Sequence, residues 1–348
     1  MASSAPKSRV RLSDIAQRLK INKATVSRAL RNDRRISRAV CAQVQRVALQ
    51  MGYRPDPMLA ALAEYRRSGT PRPISAVLAL VNYWPEPTKP RVCREFKLSW
   101  KAATAEAERT GYRLEEFRVG KDLTIPRLEK ILLTRNINGI LIPPHGNLWL
   151  TGEKFRWDEF CVVRFGDSME TPVTHLVSSD LLSNGLLAFE NVWNKGYRRI
   201  GLVAVTRPAD RPARFAAGFL YGQLNLPGKL RLPLLLLGKQ DSEQRRQQQL
   251  VAWLKKTKPE AILTDVEVLR GMLATAGYRV PQDLGLATTS VLDGNADAGI
   301  YQNSDEIGKT AVQLLISLIH LNERGIPAIP REVLIKGRWV DGSTLPAR

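Results

Sequence analysis

The chain has 348 residues, 44% of them apolar, with a formal net charge of +20. That apolar share can bury one or more sizeable cores, and no uninterrupted apolar run reaches membrane-spanning length, so two or three domains in water are expected rather than a membrane protein. The opening MASSAPKSRVRLSD is charged with no apolar run behind it, the pattern of neither a secretory signal nor a lipid anchor, which makes a cytoplasmic setting the expectation.

The charge is unevenly placed. Residues 1 to 72 hold 16 Lys and Arg against four acids (Asp14, Asp33, Asp56 and Glu64), so one fifth of the chain carries +12 of the net +20. Such a segment seeks polyanions, and neutralising phosphates with counterion release would give it salt-dependent affinity for nucleic acid. A membrane-surface helix competes with this reading. However, the basic residues are spread over several short helices without a large Trp/Phe/Leu face.

Three helices are predicted in the first fifty residues. The first runs from near Ser13, a candidate cap, to Leu19, with Ile15, Ala16 and Leu19 on one face. The second lies in KINKATVSRALRND, residues 20 to 33. Asn22 suits its cap, Val26, Ala29 and Leu30 form its apolar stripe, and Asn32 suits its exit. Its other face carries Lys23, Ala24, Thr25, Ser27 and Arg28. The third starts at Ser37, turns Val40, Val44, Val47, Ala48 and Met51 inward and ends at Gly52. Two short helices joined by three or four residues, with a third as brace, have the layout of a helix-turn-helix.

The run from RLSDIAQRL through TVSRAL to GYRPDPMLAALA resembles, without a gap, the DNA-binding head and hinge of the lactose-repressor/galactose-repressor (LacI/GalR) family. The resemblance implies that Lys23, Ala24 and Arg28 face base edges in the major groove, while Thr25, Ser27 and nearby amides position phosphates. The chemistry suits those roles: Arg can give guanine two hydrogen bonds, worth roughly 1 to 3 kcal/mol of discrimination, and small hydroxyls near a helix N-terminus suit phosphate oxygens. Ala24 can only touch a thymine methyl or leave room. Arg31, Arg34 and Arg35 go to phosphates or solvent. The inter-helix turn has Lys20 where the family usually has Gly; a left-handed residue there would cost roughly 1 to 2 kcal/mol, so a turn of different shape is expected.

Residues 55 to 73 follow as hinge helix and linker. Asp56 as cap, Pro57 at the first helical position, and Met58, Leu59, Ala61 and Leu62 on one face make a helix too short to stand alone in water. By resemblance two subunits pair these hinges over the DNA centre, with Leu59 and Leu62 at the minor groove and Leu62 as the wedge, a few kcal/mol of unstacking being offset by added contact. An ordinary linker whose leucines pack on the core is the alternative. SGTPRP ends the segment.

From residue 74 the texture changes. ISAVLALVNY, YRLEEFRV, INGILIPP, FCVVRFGD, THLVSSD, RIGLVAV, LPLLLLG, EAILTD and LGLATTSV read as nine buried strands, with helical patterns such as WKAATAEAERTGY between most of them. That alternation predicts parallel sheets with helices on both faces, and nine strands predict two lobes. INGILI, VSSDLLSNGLLAFENVWNKGYRRIGLV, VPQDLGLATTS, IYQNSDEIGKTAVQLLISLIH and VLIKGRW resemble the type-I periplasmic-binding-protein core of the same family. The expected fold class is therefore an all-α helix-turn-helix head, residues 1–54, on an α/β two-lobe core, residues 74–348. Lobe 1 is placed at about 74–172 and 304–328, lobe 2 at about 173–303 and 329–345.

Ligands of such sheets sit at the carboxyl ends of the strands. Tyr83 and Trp84 follow the first strand and could stack on a sugar or base; Asp180 follows THLVSS and occupies the family's frequent ligand-contacting acid. Arg214 resembles the Arg of the family's R-x-x-G-F pattern, with one extra residue in RFAAGF. Ser290 closes Thr288-Thr289-Ser290, where the family often has G-F-D, and the lost carboxylate tells against an ordinary sugar effector.

No catalytic pattern emerges. GQLNLPGK, residues 222 to 229, is a near miss to a phosphate loop, one residue too long and followed by Leu230 rather than Ser or Thr. His145, His175 and His320 stand singly, with no metal-ligand spacing and no G-x-S-x-G elbow. Cys41, Cys93 and Cys161, widely spaced and outside any CxxC, fit reduced buried thiols. The reading that follows is a transcription regulator, not an enzyme, with no cofactor or metal. Its expected partners are a near-palindromic double-stranded operator, a small-molecule effector with carbohydrates among the candidates, and a second copy of the chain. Helices at 93 to 110 and 308 to 322 are the expected dimer elements. A regulator that senses no small molecule, and a ligand-binding protein or enzyme on the same scaffold, are the alternatives.

Overall fold

The computed structural model describes residues 10–30, 35–53, 76–84, 93–120, 122–144, 155–166, 172–206 and 213–348. The chain divides into two compact units, Met1–Ile74 and Ser75–Arg348.

In the first unit α1 (Leu12–Leu19), α2 (Lys23–Leu30) and α3 (Arg38–Gln50) enclose Ile15, Ala16, Val26, Ala29, Cys41, Val44 and Ala48. Asn22 Oδ1 accepts from the Ala24 amide at 2.8 Å, and Ser37 Oγ accepts from that of Val40, so both predicted caps are in place. The cap at Ser13 is not: α1 begins a residue earlier, and Asp14 Oδ2 accepts from the Arg11 amide at 2.7 Å. The turn is also as the family glycine would shape it. Lys20 has φ 51° and ψ 39°, because the amides of Lys20 and Ile21 close α1 on Gln17 and Ala16, and that double closure needs a left-handed residue. Cys41, rather than Val40, is buried on α3 with Val44 and Ala48.

The second unit contains β1 (Ala76–Asn82), α4 (Arg94–Arg109), β2 (Tyr112–Arg118), α5 (Ile125–Thr134), β3 (Gly139–Ile142), β4 (Cys161–Phe165), β5 (His175–Ser179), α6 (Leu181–Asn194), β6 (Ile200–Val205), α7 (Arg214–Gln223), β7 (Leu235–Leu237), α8 (Glu243–Thr257), β8 (Ala261–Thr264), α9 (Leu269–Thr275), β9 (Gly285–Thr288), β10 (Gly299–Tyr301), α10 (Ser304–Leu321), β11 (Glu332–Ile335) and β12 (Arg338–Val340). The first sheet, ordered β11-β5-β4-β3-β1-β2, is parallel throughout. The second, β12-β10-β9-β8-β6-β7, is parallel except where β12 runs against β10.

The described residues thus hold twelve strands in the core, three more than the pattern predicted. β10, β11 and β12 are three or four residues long, as are β3, β7, β8 and β9, but β11 and β12 are half-exposed among charged residues and β10 follows a polar loop, so none stands out as an apolar run and they take their place from their neighbours. Because β5 and β11 belong to the first sheet, the chain passes to the second at Asp180 and again at Lys336–Gly337, later than the boundaries at 172 and 328. A third passage lies at Gln302–Asn303, between β10 and α10.

Both faces of each sheet are covered. α4 and α10 close one core over the first sheet with Phe96, Ala103, Ala107, Val312 and Leu315, and α5 closes another with Leu128 and Leu132. α6 and α7 cover one face of the second sheet with Val192 and Phe219, and α8 and α9 the other with Trp253 and Leu269. α4 and α10 approach so closely that a Cβ on Gly308 would stand 1.9 Å from the Ser99 carbonyl oxygen. These two expected dimer helices are thus partners within one chain; Lys97, Lys101 and Glu108 are exposed on α4.

Two substitutions test this account. Gly308→Ala should force α4 off α10 and lower stability by about 1 to 3 kcal/mol, read as a shifted urea midpoint of the core transition. Lys20→Gly should instead stabilise the head by about 1 kcal/mol, read as slower amide exchange at Ile15, Val26 and Ala29.

Candidate functional site

In the head, burial of Val26 and Ala29 orients α2. Both are fully buried, so Lys23, Ala24 and Arg28, on the opposite side, are exposed, with Thr25 and Ser27 half-buried at the edges. An ammonium, a methyl and a guanidinium at i, i+1 and i+5 share the side away from Val26 and Ala29, while the hydroxyls flank it. That surface can enter a major groove without disturbing a core side chain. Arg31 and Arg34, and the hinge residues Leu59 and Leu62, lie outside the described residues.

In the core the candidate ligand residues occupy separate stations. Tyr83 is half-buried and packs on the α5 core, and Trp84 donates its indole N–H to the Pro144 carbonyl at 2.8 Å, joining the ends of β1 and β3. Asp180 stands at the passage between sheets and caps α6, its Oδ1 accepting from the Ser183 amide at 3.0 Å. Arg214, opening α7, forms a two-pronged ion pair with Glu332 at the start of β11, both contacts 3.1 Å, so it ties the second lobe's helix to the first sheet. Ser290 follows β9 and hydrogen bonds through its hydroxyl to Glu95 Oε1, on the first turn of α4. Of the five, Ser290 and Arg214 bridge the lobes, Trp84 joins two strand ends, and Asp180 acts as a cap.

The sequence reading missed four residues at these junctions. Asn184, on α6, is buried; its side chain donates to Ser179 Oγ and accepts from the Gly337 amide, both at 2.8 Å, clasping two of the three passages. Asn303 donates to the Lys336 carbonyl at 2.8 Å and so joins the third passage to the second. Glu95 and Asp293 are the others. Neither a lone Asn on a helix nor an acid in a loop carries a pattern; only a buried polar residue's obligation to find partners, visible after folding, marks them. Cys93 also departs from expectation: it is half-buried, and its thiol donates to Asp293 Oδ2 at 2.9 Å. Among the described residues no group of three His, Cys, Asp or Glu side chains gathers as a metal site, and no helix is long and apolar enough to cross a membrane.

Residues 11–56 match the bacterial regulatory proteins of the lacI family, and residues 189–345 match the periplasmic binding protein-like domain. Residues 11–56 thus carry a lacI-family DNA-binding domain, ahead of a periplasmic binding protein-like domain. It is 28% identical over 375 residues to the HTH-type transcriptional regulator PtxS of Pseudomonas plecoglossicida, across 99% of this chain and 98% of that one. Among solved structures, the transcriptional regulator CelR in complex with cellobiose superposes with a TM-score of 0.58 at 18% identity, covering 97% of this chain and all of that one. The lac repressor dimer bound to operator and the anti-inducer ONPF gives 0.52 at 16%, covering 98% and 100%. A LacI family regulator from Enterococcus faecium with bound ribose gives 0.56 at 18%, covering 78% and 99%. At such identities the likeness to solved structures is one of fold. The chain is a DNA-binding transcriptional regulator whose lacI-family domain precedes its periplasmic binding protein-like domain in the sequence.

Asp180→Ala in this regulator should remove the α6 cap and cost about 1 kcal/mol, seen as a lower thermal midpoint with unchanged far-UV dichroism.

Proposed function

We propose that this lacI-family member is a cytoplasmic, homodimeric repressor that reads a near-palindromic operator and whose affinity for it is set by a small molecule bound between its lobes. The observation that carries the proposal is the outward face of α2. Lys23, Ala24 and Arg28 are exposed while the stripe behind them is fully buried, in a segment of 72 residues carrying +12. Residues 1–54 do the reading, 55–73 form the hinge with Leu59 and Leu62 toward the minor groove, and the remainder binds ligand and dimerises. Two heads on a two-fold axis would enter successive major grooves about 34 Å apart.

For the effector, Tyr83, Trp84, Asp180, Arg214 and Ser290 surround the strand ends and passages through which the lobe angle can change. A ligand there shifts operator affinity only by preferring one lobe arrangement, so the coupling is a free energy shared between two sites. Relatives of this fold have been solved with cellobiose and ribose, which makes carbohydrates the first compounds to titrate. The Ser290 contact with Glu95, which uses one of the ligand candidates within the protein, favours a second reading, a regulator that senses no small molecule. Calorimetric titration against a sugar and sugar-acid panel, with operator affinity measured for every binder, separates the two readings.

Selection of bound duplexes from a random pool tests the main proposal: an inverted repeat is the expected product, and no enrichment over scrambled duplexes across a range of salt concentrations would sink it. Arg28→Ala should relax preference at one base pair per half-site, by about 1 to 3 kcal/mol, whereas uniform weakening on all sequences would make Arg28 a phosphate contact.

A further inference from the structure

α4 begins without a cap of its own. Its N-cap residue, Cys93, offers no side-chain hydrogen bond to the first turn, and the following amides have no acceptor within the helix. The acceptor comes from the other lobe. Asp293, in the loop after β9, accepts from the Arg94 amide through Oδ1 at 2.6 Å, and from the Glu95 amide through Oδ2 at 3.1 Å. The same Oδ2 takes the Cys93 thiol at 2.9 Å. From the helix side Glu95 reaches back to the Ser290 hydroxyl, and Ser290 Oγ also accepts from the Asp293 amide at 3.4 Å. Two short segments, 93–95 and 290–293, thus meet through reciprocal polar contacts, each supplying a carboxylate to the other.

We propose that Glu95, Ser290 and Asp293 form a latch that holds the two lobes together at the ligand site from within, and that the latch loosens as pH rises. The proposal rests on the assignment of the Ser290 loop to the ligand site, and a molecule entering there has to compete with Asp293 for the α4 amides and with Glu95 for the Ser290 hydroxyl.

The pH dependence follows from what surrounds Glu95. Burial raises its carboxyl to about 7, with Asp293 and Asp305 adding in the same direction and the Ser290 hydrogen bond opposing them. Asp305 lies in the first turn of α10, and Tyr301 of β10 and Cys93 feel the Glu95 charge in turn. Arg338 is stacked over the Tyr301 ring, and its charge acts on that phenol. Glu95 Oε2 is buried without a hydrogen-bond partner, a poor place for a full negative charge. When the lobes part, water returns and the carboxyl falls back toward its ordinary 4.5, so the proton binds the latched form more tightly. The latch is therefore strongest below pH 4.5 and weakens progressively as pH rises through 7, on the order of tenfold between about pH 5.5 and 8. Cys93 remains a thiol across that range, its pKa pushed up to about 12 by burial and by its bond to Asp293.

Hydrogen exchange of the full chain, without DNA or added ligand, reads the latch directly. Protection factors for the Arg94 and Glu95 amides, corrected for intrinsic exchange and taken from overlapping peptides, should fall on the order of tenfold from pH 5.5 to 8. Glu95→Gln, which keeps a neutral group against Ser290, should hold them nearly constant. Asp293→Ala should abolish protection at both pH values and speed alkylation of Cys93 by iodoacetamide; Asp293→Asn does the same in weaker form if the alanine variant does not fold. Equal protection in wild type and both Asp293 variants, or the same pH slope in wild type and Glu95→Gln, overturns the latch. Neither readout involves operator or effector. A latch without operator selection therefore sinks only the proposed function, and operator selection without these signatures sinks only the latch.

Discussion

Three passages of the chain between two sheets, at Asp180, Asn303 and Lys336, constrain the rest of the core. Each lobe closes its own apolar cores, so the lobes are joined mainly by these passages and by polar contacts across them. Apolar packing inside a lobe is dense and transmits displacement, whereas hydrogen bonds exchanged with water contribute only about 0.5 to 1.5 kcal/mol each. Each lobe is therefore held more firmly within itself than at its angle to the other. Asn184 and Asn303 stand where that angle is set, because each satisfies backbone groups on a passage.

The same division of labour operates in the head at smaller scale. Its core is a handful of side chains, and the position of every outward residue on α2 follows from Val26 and Ala29 facing inward. Lys20 shows how strongly tertiary closure governs the local backbone. The double closure of α1 and the packing of Ile21 outweigh the preference of a lysine for negative φ, so the turn keeps its shape at a cost carried by the rest of the head.

Head and core are separate compact units joined through residues 55–73. Two of the contacts across the lobe boundary carry charge: Arg214 with Glu332, and Asp293 with the start of α4. Charged contacts at a lobe boundary respond to ligand, salt and protons in a way that apolar packing does not. A regulator whose lobes meet through carboxylates is thus exposed to more inputs than one whose lobes meet through leucines.

Periodicity and cap chemistry were enough to place the three head helices, the long strands and most core helices, since each of those signals is local and repeats over several residues. Val26 and Ala29 could be assigned to the inside, and Lys23, Ala24 and Arg28 to the outside, from helical spacing alone. β10, β11 and β12 could not be placed, because their few apolar residues stand among polar and charged ones instead of in a longer run. Cys93 pairs with Asp293, two hundred residues away in the chain, so nothing beside it in the sequence marks its half-buried setting. Glu95 and Asp293 carry no local signal for the same reason: their roles belong to neither residue until folding brings two distant segments within hydrogen-bonding distance. What a chain does within a turn or two of helix can be read from its order of residues, but which polar groups must satisfy one another across a lobe boundary is decided only when the sheets are assembled and water is excluded between them.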